Sequence, residues 1–385
     1  MELSNICEYS SKRIDSSLLT VENYVSTENM MQNKGGITLA SKVPVENSVE
    51  FLPGDILISN IRPYFRKIWL SDKKGGCSSD VLCIRALPGT DSTYLYYLLS
   101  QDSFFDYVMS GAKGCKMPRG DKSQILRWDI DLPNLEEQHR IASILKSIDQ
   151  KIELNNRINH NLEQQAQALY KSWFVDFEPF KDGKFVNSEL GMIPEGWQVG
   201  NIYKYIDVIS GAPYKSSLFN ESKDGYPLVR IRDLKSFSPQ FYTTERLPQT
   251  ELVNSGDIVA GMDAEFIPCI WLGETGVLNQ RCCKFVGKSP NISNLYVLHL
   301  VKPELEYVQS YKTGTTVSHL GKSDIDKFMV IHPEEAIVHQ FSAICKPLFE
   351  EQIKCSAEIR QLTNLRDTLL PKLMSGELKI NDLTC

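Results

Sequence analysis

The sequence lacks the patterns that mark a metal centre or a disulfide scaffold. Its ten cysteines are scattered along 385 residues without a C-x-x-C pair, and none of its six histidines forms an H-x-x-x-H pair or stands close to a cysteine pair. Zinc sites and small secreted disulfide domains both need such spacings. We therefore expect free thiols in a reducing compartment and no bound metal.

A long apolar run is also missing. No stretch approaches the roughly 18 consecutive apolar residues that a membrane-spanning helix needs. Residues 1–5 contain an acidic and two polar side chains, rather than the basic and then apolar segment of a signal peptide. These absences predict a cytoplasmic protein with no membrane contact.

Excess positive charge is absent as well. The chain has 42 lysine and arginine residues against 48 aspartate and glutamate residues, a net charge of −6 and a pI of about 5.7. A free-standing protein that coats nucleic acid needs bulk positive charge. Any contact with nucleic acid must therefore be local, or shared with a partner.

Catalytic motifs are the last notable absence. There is no N-P-P-[FY] run, which amino-methyltransferases use to hold the target amine, and no G-x-G-x-x-G after a strand. The segments 287–289 and 321–323 both read Gly-Lys-Ser, but neither has a glycine five residues before its Gly-Lys. We expect both to be surface turns, so the chain is predicted to have no methyltransferase, nuclease or ATPase activity of its own and to bind no cofactor.

What the sequence does contain is an internal repeat. The length is two to three times that of an average domain, and the second half restates the first at an offset close to 200 residues. Residues 54–57, Gly-Asp-Ile-Leu, recur as Gly-Asp-Ile-Val at 256–259, and Ile-Trp-Leu at 68–70 recurs at 270–272. Gly-Asp before a β-branched run is typical of a turn that enters a strand. Each half is therefore predicted to begin with a β-rich domain, and Trp69 and Trp271 are predicted core residues.

After each β-rich stretch, a heptad pattern predicts a long helix. Apolar residues alternate at spacings of three and four, the a/d pattern of a coiled coil, and the pattern turns polar or small at its centre. We call these positions the helix seam. In the first half they are Ile141, Leu145, Ile148, Ile152, Asn155, Asn159, Leu162, Ala166, Leu169 and Trp173; in the second half they are Phe341, Cys345, Leu348, Gln352, Cys355, Ile359, Leu362, Arg366, Leu369 and Leu373.

The two helices are predicted to pack on each other in antiparallel orientation, because a parallel pair would need a connection as long as the helix itself. About 33 helical residues give a rod of about 50 Å. The predicted fold is therefore α+β, with two β-rich domains at opposite ends of a pair of long antiparallel coiled-coil helices and a pseudo-twofold internal repeat. The predicted segments are a first domain at 1–134, a helix at 135–175, a linker at 176–200, a second domain at 201–335, and a second helix with the C-terminal tail at 336–385.

Several motifs along the chain resemble those of the specificity subunits of type I restriction-modification systems. The resemblance spans nearly the whole chain, is specific in the order of its motifs, and is weakest in the first domain. The motifs lie within residues 132–159, 169–177, 191–197, 261–263, 278–281, 365–367 and 370–378.

The resemblance implies a subunit without chemistry of its own that serves in host defence in a bacterial or archaeal cytoplasm. Each β-rich domain would be a target recognition domain for one half of a bipartite double-stranded DNA sequence. The helices would hold the spacer length and dock two adenine methyltransferase (M) subunits, and restriction (R) subunits would join through them. S-adenosylmethionine, ATP and Mg would belong to those partners. A 50 Å rod corresponds to about one and a half turns of DNA.

Candidate DNA contacts are the side-chain types that read base edges, in loops beside glycine. Arginine and lysine suit guanine, asparagine and glutamine suit adenine, and aspartate can accept from cytosine. In the first domain, a solvated basic face is an equally good interpretation of each candidate. In the second domain, a turn-closing role is as good for Asp263, and a structural role is as good for Arg281 and His319. The candidates are Asn60, Arg62, Tyr64, Arg66, Lys67, Lys113, Lys116, Arg119 and Lys122 in the first domain, and Lys215, Arg230, Arg232, Lys235, Asp263, Gln280, Arg281, Lys312, Thr315, Thr316 and His319 in the second.

Two alternatives remain open at this stage. One is a structural coiled-coil protein whose β-rich domains bind something other than DNA. The other is a single-chain enzyme related to restriction systems, which the missing catalytic motifs make remote.

Overall fold

The computed structural model describes residues 1–114, 116–312 and 319–380. The chain folds into two compact units: unit 1 consists of Met1–Ile152 with Gln361–Cys385, and unit 2 consists of Glu153–Arg360. Each unit contains β-sheets together with one part of each of two 40-residue helices. The predicted α+β class, with two β-rich regions and a long helix between them in the chain, is confirmed.

Unit 1 contains two four-stranded sheets. The first has the order β1-β8-β5-β6 and is antiparallel throughout, and the second has the order β2-β4-β7-β3, in which β3 and β7 are parallel. These strands are β1 (Cys7–Tyr9), β2 (Arg13–Ile14), β3 (Tyr24–Val25), β4 (Ser48–Phe51), β5 (Ile56–Ser59), β6 (Ile68–Leu70), β7 (Gly75–Cys77) and β8 (Val81–Ala86).

The first repeated motif, Gly54-Asp55, forms a turn that leads into β5. Gly54 has a φ of 89°, which glycine adopts without the steric cost of a Cβ atom. The Asp55 carboxylate closes the turn by accepting from the backbone N–H of Leu52 at 2.7 Å. It also accepts from Arg85 on β8 at 2.8 and 2.6 Å. The turn is thereby fixed to the central strands of the first sheet.

Helices cover the first sheet of unit 1. Aspartates cap two of them: Asp91 accepts from the N–H of Tyr94 at 2.7 Å, and Asp121 accepts from Ser123 at 3.0 Å. The helices are α1 (Ser92–Leu99), α2 (Asp102–Ser110), α3 (Lys122–Ile125), the first part of α4 (Leu135–Phe174) and the last part of α7 (Glu335–Met374). The core of the unit lies between this sheet and these helices.

Unit 2 contains the counterparts of both sheets and two further strand pairs. Its four-stranded sheet has the order β12-β20-β17-β18, and its five-stranded sheet has the order β13-β15-β14-β19-β16. The strands are β9 (Phe185–Ser188), β10 (Gly191–Pro194), β11 (Gln198–Asn201), β12 (Ile206–Ser210), β13 (Phe219–Asn220), β14 (Tyr226–Val229), β15 (Tyr242–Thr243), β16 (Leu252–Val253), β17 (Ile258–Gly261), β18 (Pro268–Ile270), β19 (Gly276–Leu278), β20 (Cys282–Gly287) and β21 (Met329–His332).

The internal repeat is therefore present in the sheet topology as well as in the sequence. β17 pairs with β18 and β20 as β5 pairs with β6 and β8, and the parallel pair β14 and β19 matches β3 and β7. Trp271 is fully buried and meets Phe237 edge-on, with ring centroids 5.8 Å apart, while Trp69 is half-buried and meets Phe51 in the same way at 5.8 Å. Trp271 is therefore a core residue, and Trp69 packs partly buried against the equivalent core of unit 1.

The segment 176–200 is folded rather than an open linker. β9 and β10 form an antiparallel hairpin, and β11 pairs with β21. Ile193 and Trp197 are buried in the core of unit 2, where Trp197 packs against Phe174 at 6.0 Å between ring centroids. Gly191 and Pro194, two of the glycines and prolines that are typical of a linker, belong to β10, and Pro179 belongs to a 3-10 turn.

The helices of unit 2 complete its core. They are α5 (Asn294–Lys312), α6 (Lys322–Ile325), the second part of α4 and the first part of α7. Phe341 on α7 lies between Phe174 at 4.9 Å and Trp173 at 5.9 Å on α4, measured between ring centroids. α4 and α7 therefore pack on each other through aromatic side chains.

Polar contacts between α4 and α7 occur in both units. In unit 2, Asn155 donates to Glu358 at 2.8 Å and Asn159 donates to Ser356 at 3.0 Å, so the two helices run antiparallel there. In unit 1, Arg366 donates to Asp149 at 2.8 Å. The predicted seam residues Ile141, Leu145, Ile148, Asn155 and Phe341 are buried, and Ile152, Asn159, Leu162, Leu169, Trp173, Leu348, Ile359, Leu362 and Leu369 are half-buried. Within the described part of the chain, no helix is long and apolar enough to cross a membrane.

Candidate nucleic-acid interface

In unit 1, two loops that carry predicted DNA contacts are joined by backbone hydrogen bonds. One loop follows β5 at 60–62, and the other lies between α2 and α3. The Arg62 N–H donates to the Pro118 carbonyl at 2.8 Å, and the Gly120 N–H donates to the Asn60 carbonyl at 3.2 Å. A Cβ atom at Gly120 would stand 2.8 Å from Val108 Cγ1 and 2.9 Å from Asn60 Oδ1, so a larger residue there would have to displace these side chains.

Acidic side chains hold the cations of this loop pair. Arg119 lies 3.1 Å from Asp80, and Lys113 lies 2.9 Å from Asp121. Hydrogen bonds from Ser123 and Lys113 lower the pKa of Asp121. Both cations remain mostly exposed, with 57% of the Arg119 side chain and 82% of the Lys113 side chain accessible. They are fixed at one end and open to a ligand.

A short turn after this loop presents Tyr64. Arg62 and Arg66 flank the 3-10 turn Pro63–Phe65 with φ values of 50° and 51°, and Tyr64 between them is 48% exposed. Arg66 pairs with Asp102 at 3.0 Å, and the Lys67 amine donates to the Thr27 carbonyl at 2.6 Å. Partial burial lowers the pKa of Lys67.

The side chains of the remaining candidates of unit 1 differ in their exposure to solvent. Asn60 is only 9% exposed, with its side-chain oxygen buried, so it supports the loop and is poorly placed to read a base. Lys116 and Lys122 are exposed.

In unit 2, the candidates gather around one carboxylate. Asp263 accepts from His319 Nδ1 at 2.6 Å and lies 3.1 Å from Arg281. Backbone hydrogen bonds join the same three segments, because the Met262 N–H donates to the Arg281 carbonyl at 2.8 Å and the Leu320 N–H donates to the Met262 carbonyl at 2.7 Å. Asp263 therefore already has two partners in its own chain, the Arg281 guanidinium and the His319 ring.

Three of the other candidates of unit 2 pair with acidic side chains other than Asp263. Arg230 is largely buried, where it pairs with Asp233 at 3.2 Å and covers the ring of Phe241 at 4.4 Å. Lys235 pairs with Glu265 at 2.8 Å, and Lys312 pairs with Asp324 at 2.6 Å. Lys215, Arg232 and Gln280 are exposed, and Thr315 and Thr316 lie outside the described residues.

Sequence reasoning missed the acidic residues that orient these cations. Asp80 and Asp121 were not among the candidates. Lys34 was not among them either, although it lies 3.2 Å from Asp102, the carboxylate that also pairs with Arg66. Asp121 follows a glycine and precedes a helix, which is a recognisable N-cap signal. Asp80 has no such signal, because its partner Arg119 is far away in the sequence.

The described residues also bear on two other kinds of site, one for a metal ion and one for a phosphate. They contain no group of three or more histidine, cysteine, aspartate or glutamate side chains placed to hold a metal ion. The Gly-Lys-Ser segment at 321–323 opens the four-residue helix α6, and the Asp324 carboxylate already accepts from the Gly321 N–H at 2.8 Å. The Gly321 N–H, a group that a phosphate loop would offer to a phosphate, therefore already has a partner.

Comparisons with known proteins complete the description of the site. A family model described as the type I restriction modification DNA specificity domain matches residues 1–164 and 194–363. The chain is similar to the type I restriction enzyme MjaIX specificity subunit of Methanocaldococcus jannaschii, at 29% identity over 95% of this chain and 87% of that protein. It is also similar to the HindI specificity subunit of Haemophilus influenzae, at 22% identity over 98% of both chains. The crystal structure of the type I restriction-modification system S subunit from M. genitalium shares the fold, with a TM-score of 0.57 at 15% identity over 97% of this chain and 95% of that one.

Proposed function

Because the chain belongs to the family of type I restriction-modification DNA specificity subunits, we propose that each of its two β-rich domains reads one half of a bipartite double-stranded DNA target. The observation that carries this proposal is the repeat of the candidate loops. Unit 1 joins the loop after β5 to the loop before α3, and unit 2 joins the loop after β17 to the loop before α6. Two copies of one binding arrangement in a single chain suit a target with two separate halves.

The charges of these loops support contact with DNA despite the acidic chain. The cationic side chains of Lys113, Lys116 and Arg119 are exposed in unit 1, and that of Arg281 is exposed in unit 2. Phosphate contacts dominate the affinity of most DNA-binding proteins. With a net charge of −6, the chain depends on partner subunits for much of this attraction.

The partners are two adenine methyltransferase (M) subunits, with restriction (R) subunits joined through them. Exposed apolar side chains on the long helices support such docking. In unit 2, Leu154 on α4 is 50% exposed and Ile344 on α7 is 43% exposed, and in unit 1 Leu365 on α7 is 47% exposed. None of the three is a seam position, so they are free to meet another chain.

Catalysis belongs to those partners in this proposal. The specificity subunit positions the methyltransferases on the target, and S-adenosylmethionine, ATP and Mg bind to the other chains. The complex works in host defence in the cytoplasm of a bacterial or archaeal cell.

Methylome sequencing tests the proposal. Expressed together with its methyltransferase partners in a strain without adenine methylation, the chain should produce one bipartite methylated motif, and the partners without the chain should produce none. The purified chain alone should transfer no methyl group from S-adenosylmethionine. The proposal fails if the methylated motif has one half, or if it is the same with and without the chain.

A further inference from the structure

The repeat brings three positions of each domain to equivalent places. In unit 1 they are Ile61, Asp80 and Arg119, and in unit 2 they are Asp263, Arg281 and His319. The matching contacts are backbone ones. A β-bridge joins Ile61 to Arg119, and another joins Asp263 to His319.

Two further pairs of hydrogen bonds establish the same equivalence. The N–H of residue 60 donates to the carbonyl of residue 80 at 2.8 Å, and the N–H of residue 262 donates to the carbonyl of residue 281 at 2.8 Å. The N–H of residue 120 donates to residue 60 at 3.2 Å, as that of residue 320 donates to residue 262 at 2.7 Å. We call the three positions of each domain the reading cluster.

Both reading clusters contain an arginine held by an aspartate, but at different positions. Arg119 lies 3.1 Å from Asp80, and Arg281 lies 3.1 Å from Asp263. Counted in order along the chain, the arginine is the third member of the reading cluster in unit 1 and the second member in unit 2. Both arginine side chains are 57% exposed, whereas the aspartates are 37% and 26% exposed.

We propose that Arg119 and Arg281 each read a guanine, one in each half of the target, and that Asp80 and Asp263 are positioning residues for them. This inference rests on the proposed DNA recognition. The guanidinium fork matches the O6 and N7 acceptors of guanine in the major groove. A carboxylate that holds one terminal nitrogen restricts the side chain before binding, so less conformational entropy is lost on contact.

The different placement of the arginine explains how one fold reads two sequences. Moving the guanidinium from the third to the second position of the cluster moves the guanine that it meets within the half-site. Asp263 also holds His319, whereas the position equivalent to Asp263 in unit 1 is Ile61, which brings no charge. Loss of Asp263 therefore releases two donors, and loss of Asp80 releases one.

The test compares methylated motifs of the complete complex in a strain without adenine methylation. Arg119→Ala should relax one guanine position in one half of the motif and leave the other half unchanged, and Arg281→Ala should do the converse. The preference for guanine should fall roughly 5- to 150-fold, as expected for a lost bidentate contact. Arg13→Ala in β2 and Arg246→Ala, whose guanidinium covers the Tyr226 ring, are matched controls that should leave the motif unchanged.

Further variants separate reading from positioning and from folding. Arg281→Lys keeps the positive charge for a phosphate but loses the fork, so it should relax the same guanine position. Asp263→Asn should lower the guanine preference in methylation of duplexes that differ only at that base, with little change in melting temperature, and Asp263→Glu should restore part of it. Asp80→Asn should have the smaller effect on its own half.

The outcomes distinguish this inference from the proposed function. A motif unchanged in Arg119→Ala and Arg281→Ala, or methylation that falls equally for every base at each position, overturns the reading cluster while leaving bipartite recognition intact. A wild-type complex that produces no bipartite motif overturns the proposed function itself.

Discussion

The polar centre of the helix pair makes a sharp electrostatic prediction. Asn155 is 1% exposed and donates to Glu358 at 2.8 Å, and both residues belong to unit 2. Asn155→Asp replaces this donor with a carboxylate that faces another carboxylate. The change keeps the size of the side chain and alters only its charge and hydrogen bonding.

The expected loss follows from two contributions. A charge-assisted hydrogen bond worth about 1.5–3 kcal/mol disappears. Two like charges about 4 Å apart repel by about 4 kcal/mol at the effective dielectric of a protein near its surface, and because Glu358 is half-exposed, hydration and side-chain movement reduce this. We expect a net loss of about 3 kcal/mol in the free energy of unfolding, or about 6–12 °C in the melting temperature of unit 2.

The loss should depend on pH with a defined sign. Repulsion raises the pKa of the carboxylate pair in the folded state above its unfolded value, so the folded variant takes up a proton more readily. The deficit relative to wild type should be full at about pH 7.5 and should shrink as the pH falls toward about pH 4.5. Calorimetry at both pH values, each against wild type at the same pH, measures it.

Asn156→Asp is the matched control, because Asn156 is exposed on the next position of the same helix. It should change the melting temperature little at either pH. If Asn155→Asp behaves like Asn156→Asp, or if its deficit persists at low pH, the contact with Glu358 does not hold the helices as described. Asn155→Leu should show no such pH dependence.

Two further predictions concern buried charge. Asp55→Asn should destabilise unit 1 by about 3 kcal/mol, because it breaks a nearly buried pair with Arg85. Asp257→Asn should destabilise unit 2 by less, since its partner Lys284 also binds Glu251. Calorimetric comparison of the two variants checks this difference. Burial lowers the pKa of His299 to about 4, so its stabilising contribution is complete above pH 6.5 and declines as the pH falls toward 4, by about 3 kcal/mol in all. His299→Gln should flatten the fall in melting temperature over this interval, and an unchanged slope would contradict the assignment.

The sequence predicted those features that depend on short-range pattern. Gly54 and Asp55 define a turn whose geometry only glycine and a short acidic side chain supply, and Gly256 has the same role with a φ of 104°. The heptads of α4 and α7 also follow from spacing alone, because a helix fixes which residues share a face. The repeat made both predictions stronger, since each pattern occurs twice.

Other features depend on which distant residues meet. Asn155 and Asn159 were predicted at a polar centre, but their partners Glu358 and Ser356 are set by the relative register of two helices, which neither helix encodes by itself. Pro303 stands inside α5, although proline ordinarily ends a helix. The equivalent region of unit 1 is divided into α1 and α2 without a proline.

The sequence predicted which residue types form the candidate site, but only in part which of those residues lie together. Arg119 and Arg281 were among many basic residues in loops, and nothing in the sequence distinguished them from Arg230, which is buried beside Asp233. The distinction comes from a carboxylate that approaches from another strand or loop. Such a contact leaves no trace in local spacing.

The division of the long helices between the two units has a consequence for synthesis of the protein. Unit 2 is one continuous stretch, Glu153–Arg360, whereas unit 1 needs Met1–Ile152 and the segment that starts at Gln361. Leu370, Leu373 and Met374 fill the core of unit 1, yet the ribosome reaches them only after it has made the whole of unit 2. At about 5–20 residues per second, the first part of unit 1 waits about 10–40 s for these side chains. The domain that is translated first is therefore the one that is finished last, and a nascent chain exposes its apolar surface to chaperones throughout that interval.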